Sequence, residues 1–303
     1  MNHALNSESR IAMMAYAQTT FQEINNMFKP SLIQAALIGA AVLTFGISQA
    51  NAGAIHDAGL FTTILPANDD GSTGLVNLGF TANINSTNYT QTYVNNNGNI
   101  TFNNRLSTFT PSAINSGAFG PIIAPFFADV DTRASGSNPV TYGSATLGGF
   151  NVFGVNYIHV GVFDSQPIFN NFQLILTDRS ATGAGNFDIQ FNYDTVVWEA
   201  GTASGAPSGG LCGASCTSAL VGYWTSPSSN ATLPGSLVHG ALIDGGPNAL
   251  ISNSLNSNIP GQYNFQVRNG EVVVPSVPEP ASLALLGIGL VGLAAARRSK
   301  KTS

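Results

Sequence analysis

The central part of this 303-residue chain contains no lysine, since Lys29, Lys300 and Lys301 all lie near the two ends. Between residues 53 and 278 the basic side chains are four arginines, set against twelve acidic side chains, which gives a net charge of −8. A segment with this negative net charge lacks the basic surface of a nucleic-acid-binding protein. The absence of lysine also excludes a phosphate-binding loop, which requires a lysine.

Cysteine is equally scarce, with only Cys212 and Cys216 in the whole chain. Two thiols without a neighbouring histidine are too few for a structural zinc site. In an oxidising compartment the pair is expected to form a disulfide, which would close a short loop and add little global stability. The sequence also lacks a G-x-S-x-G nucleophile elbow, so no motif indicates a serine hydrolase.

The first 52 residues have the pattern of a secretory signal peptide. Lys29 precedes an uncharged apolar run at 31–48, and the next four residues end in an A-x-A arrangement. These are the three parts of a signal peptide, and we expect a signal helix with cleavage after Ala52. The alternative is a buried core helix. Residues 1–26 are too polar and too long for an ordinary leader, which makes Met27 the possible true start.

Three features follow one another at the C-terminal end. Pro278-Glu279-Pro280 precedes the uncharged run 281–296, and a basic cluster comes directly after it. A helix of 16 residues would be about 24 Å long, slightly short of a bilayer core of about 30 Å. Basic residues beyond such a helix favour the cytoplasmic side. We therefore expect a single transmembrane helix with the rest of the chain outside.

In this order the three features resemble the PEP-CTERM sorting signal of Gram-negative bacteria. The resemblance implies a transient anchor in the inner membrane and processing near Pro278, Glu279 and Pro280 by an exosortase-type enzyme. It also implies secretion or delivery to the cell surface, often in bacteria that make exopolysaccharide. The alternative is an ordinary tail anchor.

Residues 53–275 show strand patterns and no sustained helical period. In residues 187–194 aromatic or aliphatic side chains alternate with polar ones, which is typical of a half-buried antiparallel strand. Asn97-Gly98 predicts a hairpin turn. Short strands with frequent turns predict an all-β fold, a single-domain antiparallel β-sandwich. We expect a lead-in strand at 53–74, the sandwich at 75–270, a linker with the Pro-Glu-Pro motif at 271–280 and the sorting segment with its basic tail at 281–303.

Four stretches follow one another along the chain: YVNNNGNITF, IIAPFFADVDTR, NNFQLILTDR with FDIQFNYDTVVWEAG, and ALVGYW. Over roughly residues 75–245 they resemble the nidogen-like (NIDO) extracellular domain. A Gly/Ser/Cys-rich insertion between Trp198 and Ala219 departs from the family pattern. The resemblance implies a β-rich module of surface and matrix proteins associated with cell–matrix adhesion, and it carries over no catalytic residues.

Asp129 and Asp131 follow a strongly apolar stretch, two positions apart. On a strand such residues share a face, with Cα atoms about 6.5 Å apart, a spacing compatible with the carboxylate pair of a glycosidase. Carboxylate oxygens also suit calcium, the one possible cofactor. The interpretation we favour is a structural turn in which Arg133 or Arg179 binds the carboxylates.

Aromatic side chains beside the insertion have two interpretations. Trp198, Tyr223 and Trp224 would stack on sugar rings if exposed, but core packing is the favoured interpretation. His159 is expected to be a packed core or edge residue.

The sequence therefore predicts a non-catalytic surface or extracellular-matrix protein in adhesion or biofilm structure. Its partners would be the processing enzyme, the inner membrane and, at the surface, exopolysaccharide or other proteins. The alternative is a secreted protein that binds or hydrolyses carbohydrate.

Overall fold

The computed structural model describes residues 53–164, 166–207 and 210–273, and for Gln166 only the backbone. The predicted cleavage residue Ala52, the sorting residues Pro278, Glu279 and Pro280, and both predicted terminal helices lie outside these described residues. Within them, no helix is both long and apolar enough to cross a membrane.

The described residues form two antiparallel sheets, which confirms the all-β prediction. In spatial order, the seven-stranded sheet contains β1 (Thr63–Ile64), β6 (Thr141–Leu147), β7 (Phe150–Val162), β8 (Gln166–Asp178), β9 (Phe187–Thr195), β12 (Gln262–Arg268) and β13 (Glu271–Val273). The six-stranded sheet contains β11 (Ser229–Thr232), β10 (Leu220–Ser226), β5 (Ile122–Phe127), β4 (Asn99–Thr101), β3 (Thr87–Asn95) and β2 (Val76–Ile84). Short 3-10 helices lie at Ala58–Leu60, Ile114–Ser116, Ser180–Thr182 and Thr202–Ser204.

Large aromatic side chains form the core. Phe126 of β5 packs against Phe172 of β8 with ring centroids 5.3 Å apart, and it meets the Trp198 ring edge-on at 5.5 Å. Tyr157 of β7 stacks on Phe172, with ring centroids 4.6 Å apart. Such pairs contribute about 0.5 to 1.5 kcal/mol each beyond the area they bury, so this cluster helps to hold β5 against β7 and β8.

The Asn97-Gly98 turn confirms the predicted hairpin, since Val94 pairs with Ile100 and Asn95 with Asn99. Unlike most turns, it is buried: Asn97 is 1% exposed. Its asparagine side chains supply the hydrogen bonds that water would otherwise give. The Asn96 amide donates to the carbonyl of Val130, and Asn97 Oδ1 accepts from the Val130 amide at 3.0 Å. The turn is thereby fixed to the chain just beyond β5.

Pro125 lies inside β5, a central strand, although proline cannot donate to a β-ladder. An irregularity in the pairing of β10 with β5, between Leu220 and Gly222, lies opposite this position. The Pro125 carbonyl accepts a hydrogen bond from the buried Tyr193 hydroxyl. The missing N–H is therefore placed where the ladder is already interrupted.

The lead-in region contains little strand: a short 3-10 helix, the two residues of β1, and an irregular stretch at 65–73, here called the crossing segment. Asn68 is joined to Thr132 in both directions, because Asn68 N donates to Thr132 Oγ1 and Thr132 N donates to Asn68 O, each at 2.9 Å. Asn96 N donates to Gly71 O at 2.9 Å. These bonds hold the crossing segment against the buried turn and the end of β5.

Every arginine of the described residues binds within the protein. Arg105 donates to the Thr73 carbonyl. Arg179 and Arg268 both pair with Asp188, at 2.6 and 2.7 Å, and Arg133 pairs with Asp131. The predicted disulfide between Cys212 and Cys216 is present, with Cα atoms 5.2 Å apart.

Candidate cation site at the end of strand β5

Three carboxylates meet where the crossing segment passes the end of β5. Asp69 and Asp70 come from the crossing segment, and Asp129 lies two residues beyond the strand. One oxygen from each of the three lies within 4.8 Å of the other two. Oxygen ligands from several aspartates are typical of sites for hard cations, so this cluster could hold a metal ion.

Asp129 is the most deeply buried of the three, with 2% exposure. Among the described residues its Oδ2 has no hydrogen-bond partner, and neither does the buried Oδ1 of Asp69. The backbone of Gly201 covers Asp129 so closely that a Cβ at Gly201 would overlap Oδ2. A buried carboxylate without a partner is costly to ionise, so a counter-charge beside Asp129 would stabilise its anionic form.

The environment shifts the pKa values of two of these groups. Burial, followed by the nearby charges of Asp69, Asp70 and Asp131, raises the pKa of Asp129 to about 7. Burial, followed by Asp70 and Asp131, raises the pKa of Asp69 to about 6, although Arg133 acts in the opposite direction. Both carboxylates are held in an environment that favours the neutral acid in the absence of a counter-charge.

Asp131 is arranged differently from Asp129. The backbone N and the Nε of Arg133 each donate to Asp131 Oδ1 at 2.9 Å, and Nη2 donates to Oδ2 at 2.8 Å. The same Nη2 lies 2.8 Å from Asp69 Oδ2. The predicted Asp–Arg turn is therefore present with Arg133 as the partner, whereas Arg179 pairs with Asp188. Asp131 as a metal ligand stays a prediction.

Sequence reasoning missed Asp69 and Asp70 as site residues. Their only local signal is the Asp-Gly pair at 70–71, which is typical of a turn. Asp129 lies about sixty positions further along the chain. The proximity of the three carboxylates depends on how the crossing segment is held, which no local pattern encodes.

The aromatic side chains beside the insertion are mostly core residues. Trp198 is fully buried and donates from Nε1 to the Val160 carbonyl at 3.2 Å, and Tyr223 is 5% exposed. Core packing is confirmed for both, so neither presents a free face to a sugar. Trp224 is partly buried. His159 is exposed at an irregularity of β7 and stacks on Phe169 at 3.9 Å.

The raised pKa of Asp129 predicts that the stability of the metal-free protein, measured in EDTA, depends on pH in an unusual way. The pKa of Asp129 is about 7 in the folded protein and 3.8 in its ordinary state. The stabilisation that comes from this raised pKa is therefore complete below pH about 4, and it is lost as the pH rises through about 7. Between pH 5 and 8 the free energy of unfolding should fall by about 2 to 3 kcal/mol from this residue. Urea unfolding at the two pH values measures the fall.

Asp129→Asn should abolish most of that fall, since an amide of the same shape carries no charge. Asp194→Asn is the matched control, because Asp194 is exposed on β9. Equal pH dependence in Asp129→Asn and the wild-type protein would contradict the prediction.

Comparisons with known proteins agree with the sequence patterns. Residues 90–269 match the nidogen-like domain family, and residues 276–299 match the PEP-CTERM protein-sorting motif. Alpha-tectorin from Gallus gallus is 32% identical over 250 residues, which cover 74% of this chain and 11% of the tectorin. The alpha-tectorins of Mus musculus and Homo sapiens are each 28% identical over 233 residues, which cover 69% of this chain and 10% of the relative.

The chain thus spans about a tenth of the length of these relatives. No solved structure shows significant similarity to it. The nidogen-like match covers more than half of the chain and includes the strands from β4 to β12. The chain therefore belongs to the nidogen-like domain family, and it carries a PEP-CTERM sorting motif after that domain.

Proposed function

We propose that this chain is a non-catalytic protein exported to the surface or extracellular matrix of a Gram-negative bacterium, where it acts in cell–matrix adhesion or in exopolysaccharide-associated biofilm structure. The observation that carries the proposal is the order of parts. The nidogen-like match ends at residue 269, and the sorting motif begins at residue 276. One chain thus joins an extracellular module directly to an export signal.

The proposed route begins with signal cleavage after Ala52. The sorting segment then holds the chain transiently in the inner membrane, and an exosortase-type enzyme processes it near Pro278, Glu279 and Pro280. Just after the proposed cut, the His56 backbone N donates to Gln173 Oε1 at 3.1 Å, and Gln173 Nε2 donates to the His56 carbonyl at 3.2 Å. A cut after Ala52 would leave these contacts intact, which supports that position.

A non-catalytic role is supported by the state of the two candidate acids. A glycosidase requires two carboxyl groups that are both free to react. Both oxygens of Asp131 are bound by Arg133, so the pair with Asp129 lacks a second free carboxylate.

The alternative, carbohydrate binding, has one supporting observation. A polar groove on the seven-stranded sheet contains side chains suited to hydrogen bonding with sugar hydroxyls, namely Thr177, Arg179, Asp188, Gln190, Asn256 and Asn264. A glycan array combined with a hydrolysis assay separates the possibilities. Turnover that disappears in Asp129→Asn would overturn the non-catalytic proposal, and specific glycan binding lost on Gln190→Ala would favour the alternative.

Replacing Pro278, Glu279 and Pro280 together by alanine should stop processing. The unprocessed chain should then accumulate in the inner-membrane fraction, with most of the released or surface form lost. Immunoblots of cell fractions measure this, with Pro275→Ala, just outside the motif, as the control. Release unchanged from wild type would contradict the proposed route, and so would a mature form left in the cytoplasm.

The same strains test the role at the surface. Cells lacking the protein should retain less biofilm on a washed surface. The wild-type chain and Pro275→Ala should restore biofilm retention, and the triple-alanine variant should not. Equal biofilm retention and attachment with and without the protein would contradict the adhesion proposal while leaving the export route intact.

A further inference from the structure

We propose that Asp69, Asp70 and Asp129 form a calcium site that fastens the crossing segment, residues 65–73, to the end of β5. The cluster alone would not establish a site, because exposed acidic groups are common. Two of its oxygens distinguish it. Asp129 Oδ2 and Asp69 Oδ1 are buried and have no hydrogen-bond partner among the described residues. Since buried polar atoms are almost always satisfied, these two oxygens are free to bind a cation.

The spacing of the oxygens suits calcium. Ca²⁺ binds oxygen at about 2.3 to 2.6 Å, so two oxygens on opposite sides of one ion are about 5 Å apart. The three carboxylate oxygens lie within 4.8 Å of one another, and all can therefore contact a single ion. Mg²⁺ requires shorter bonds, of about 2.0 to 2.1 Å, and near-ideal octahedral geometry. The site offers no histidine or thiolate, which softer metals prefer.

The local charge also favours a divalent cation. When all four are ionised, Asp69, Asp70, Asp129 and Asp131 carry four negative charges, and among the described residues Arg133 is the cation paired with them. The guanidinium contacts Asp131 and Oδ2 of Asp69, which leaves Oδ1 of Asp69 free. Asp70 Oδ1 accepts from Asn97 Nδ2 at 2.7 Å. This bond orients the Asp70 carboxylate without neutralising it.

The site lies across the border of the family match. Asp129 belongs to the nidogen-like residues 90–269, whereas Asp69 and Asp70 precede them. The ion would therefore join the lead-in part of this chain to the nidogen-like module. Asp69 and Asp70 are partly exposed, which leaves room for water molecules to complete the six to eight ligands of calcium.

Calcium sites of extracellular modules bind with Kd of about 0.1 to 1 mM. A site of that affinity stays empty in the cytoplasm and fills after export. The crossing segment would then be fastened only outside the cell.

The test is thermal unfolding of the purified full chain at pH 8, in EDTA and in about 10 mM CaCl₂. For an affinity in the stated range, calcium should raise Tm by roughly 3 to 10 °C. Calorimetric titration with CaCl₂ should show one site. Asp129→Asn and Asp70→Asn should lose the calcium-dependent shift, and Asp194→Asn should keep it.

Several outcomes would overturn the proposal. These are a wild-type Tm that does not respond to calcium, a shift that persists in Asp129→Asn, or an equally large response to MgCl₂. A folding defect does not obscure the result, because each variant is compared with itself in EDTA and in calcium. The amide variants keep the carboxylate shape, and Asp129→Asn should fold at least as stably as the wild type in EDTA.

Discussion

Gly98→Ala is expected to destabilise the protein by about 3 to 5 kcal/mol, at the upper end for a single substitution. Gly98 has φ of +72°, in the left-handed region that disfavours side chains. A Cβ there would also overlap the backbone carbonyl oxygen of Phe126. That carbonyl belongs to a central strand, and Phe126 N donates to Gly98 O at 3.2 Å. Neither backbone can move without loss of this bond.

Gly148→Ala is the matched control for that experiment. Gly148 also has positive φ, +57°, but a Cβ there would have no neighbour within 4 Å. It should therefore cost only the backbone strain, about 1 to 2 kcal/mol. Chemical denaturation of both variants separates the cost of backbone strain from the cost of steric overlap with the Phe126 carbonyl. Equal losses in the two variants would show that the buried turn can shift away from β5, contrary to the structure.

Trp198→Ala is expected to lower the free energy of unfolding by about 3 to 5 kcal/mol. The indole is fully buried, meets Phe126 edge-on, and donates to the Val160 carbonyl. Removing it leaves a cavity in the core and takes one hydrogen bond from the Val160 carbonyl. The midpoint of urea unfolding, followed by circular dichroism, measures the loss.

The same substitution at Trp224, which is only partly buried, should cost less, about 1 to 2 kcal/mol. Trp198→Phe should be intermediate, since it keeps an aromatic ring and loses the N–H donor. If Trp198→Ala and Trp224→Ala unfold at the same urea concentration, Trp198 does not have the core role assigned to it.

The strands that could be predicted from sequence are those with a local period of two. The alternation over residues 187–194 predicts β9, observed at Phe187–Thr195 with Ile189 and Phe191 buried. The hairpin was predictable for a similar reason, because Asn-Gly is a local turn signal. Such patterns report which face of a strand is apolar, and that information lies within a few residues.

Only part of the candidate site could be predicted from the sequence by the same reasoning. Asp129 could be singled out because it follows an apolar strand. Its neighbours Asp69 and Asp70 could not, since they are brought in by backbone hydrogen bonds between Asn68 and Thr132, 64 positions apart. The burial of the asparagine turn was equally hidden. Polar composition predicts exposure, but here each amide replaces water as the partner of a backbone group.

The lack of lysine has a practical consequence for chemistry on this protein. Acylating reagents and aldehydes react with primary amines, and residues 53–278 contain none in their side chains. With the proposed cleavage after Ala52, the new α-amino group at Gly53 would be the one reactive amine of the segment ending at residue 278. A dye ester or an activated bead would then couple at a single defined point, next to the backbone that packs on β8, and every attached molecule would present the same orientation.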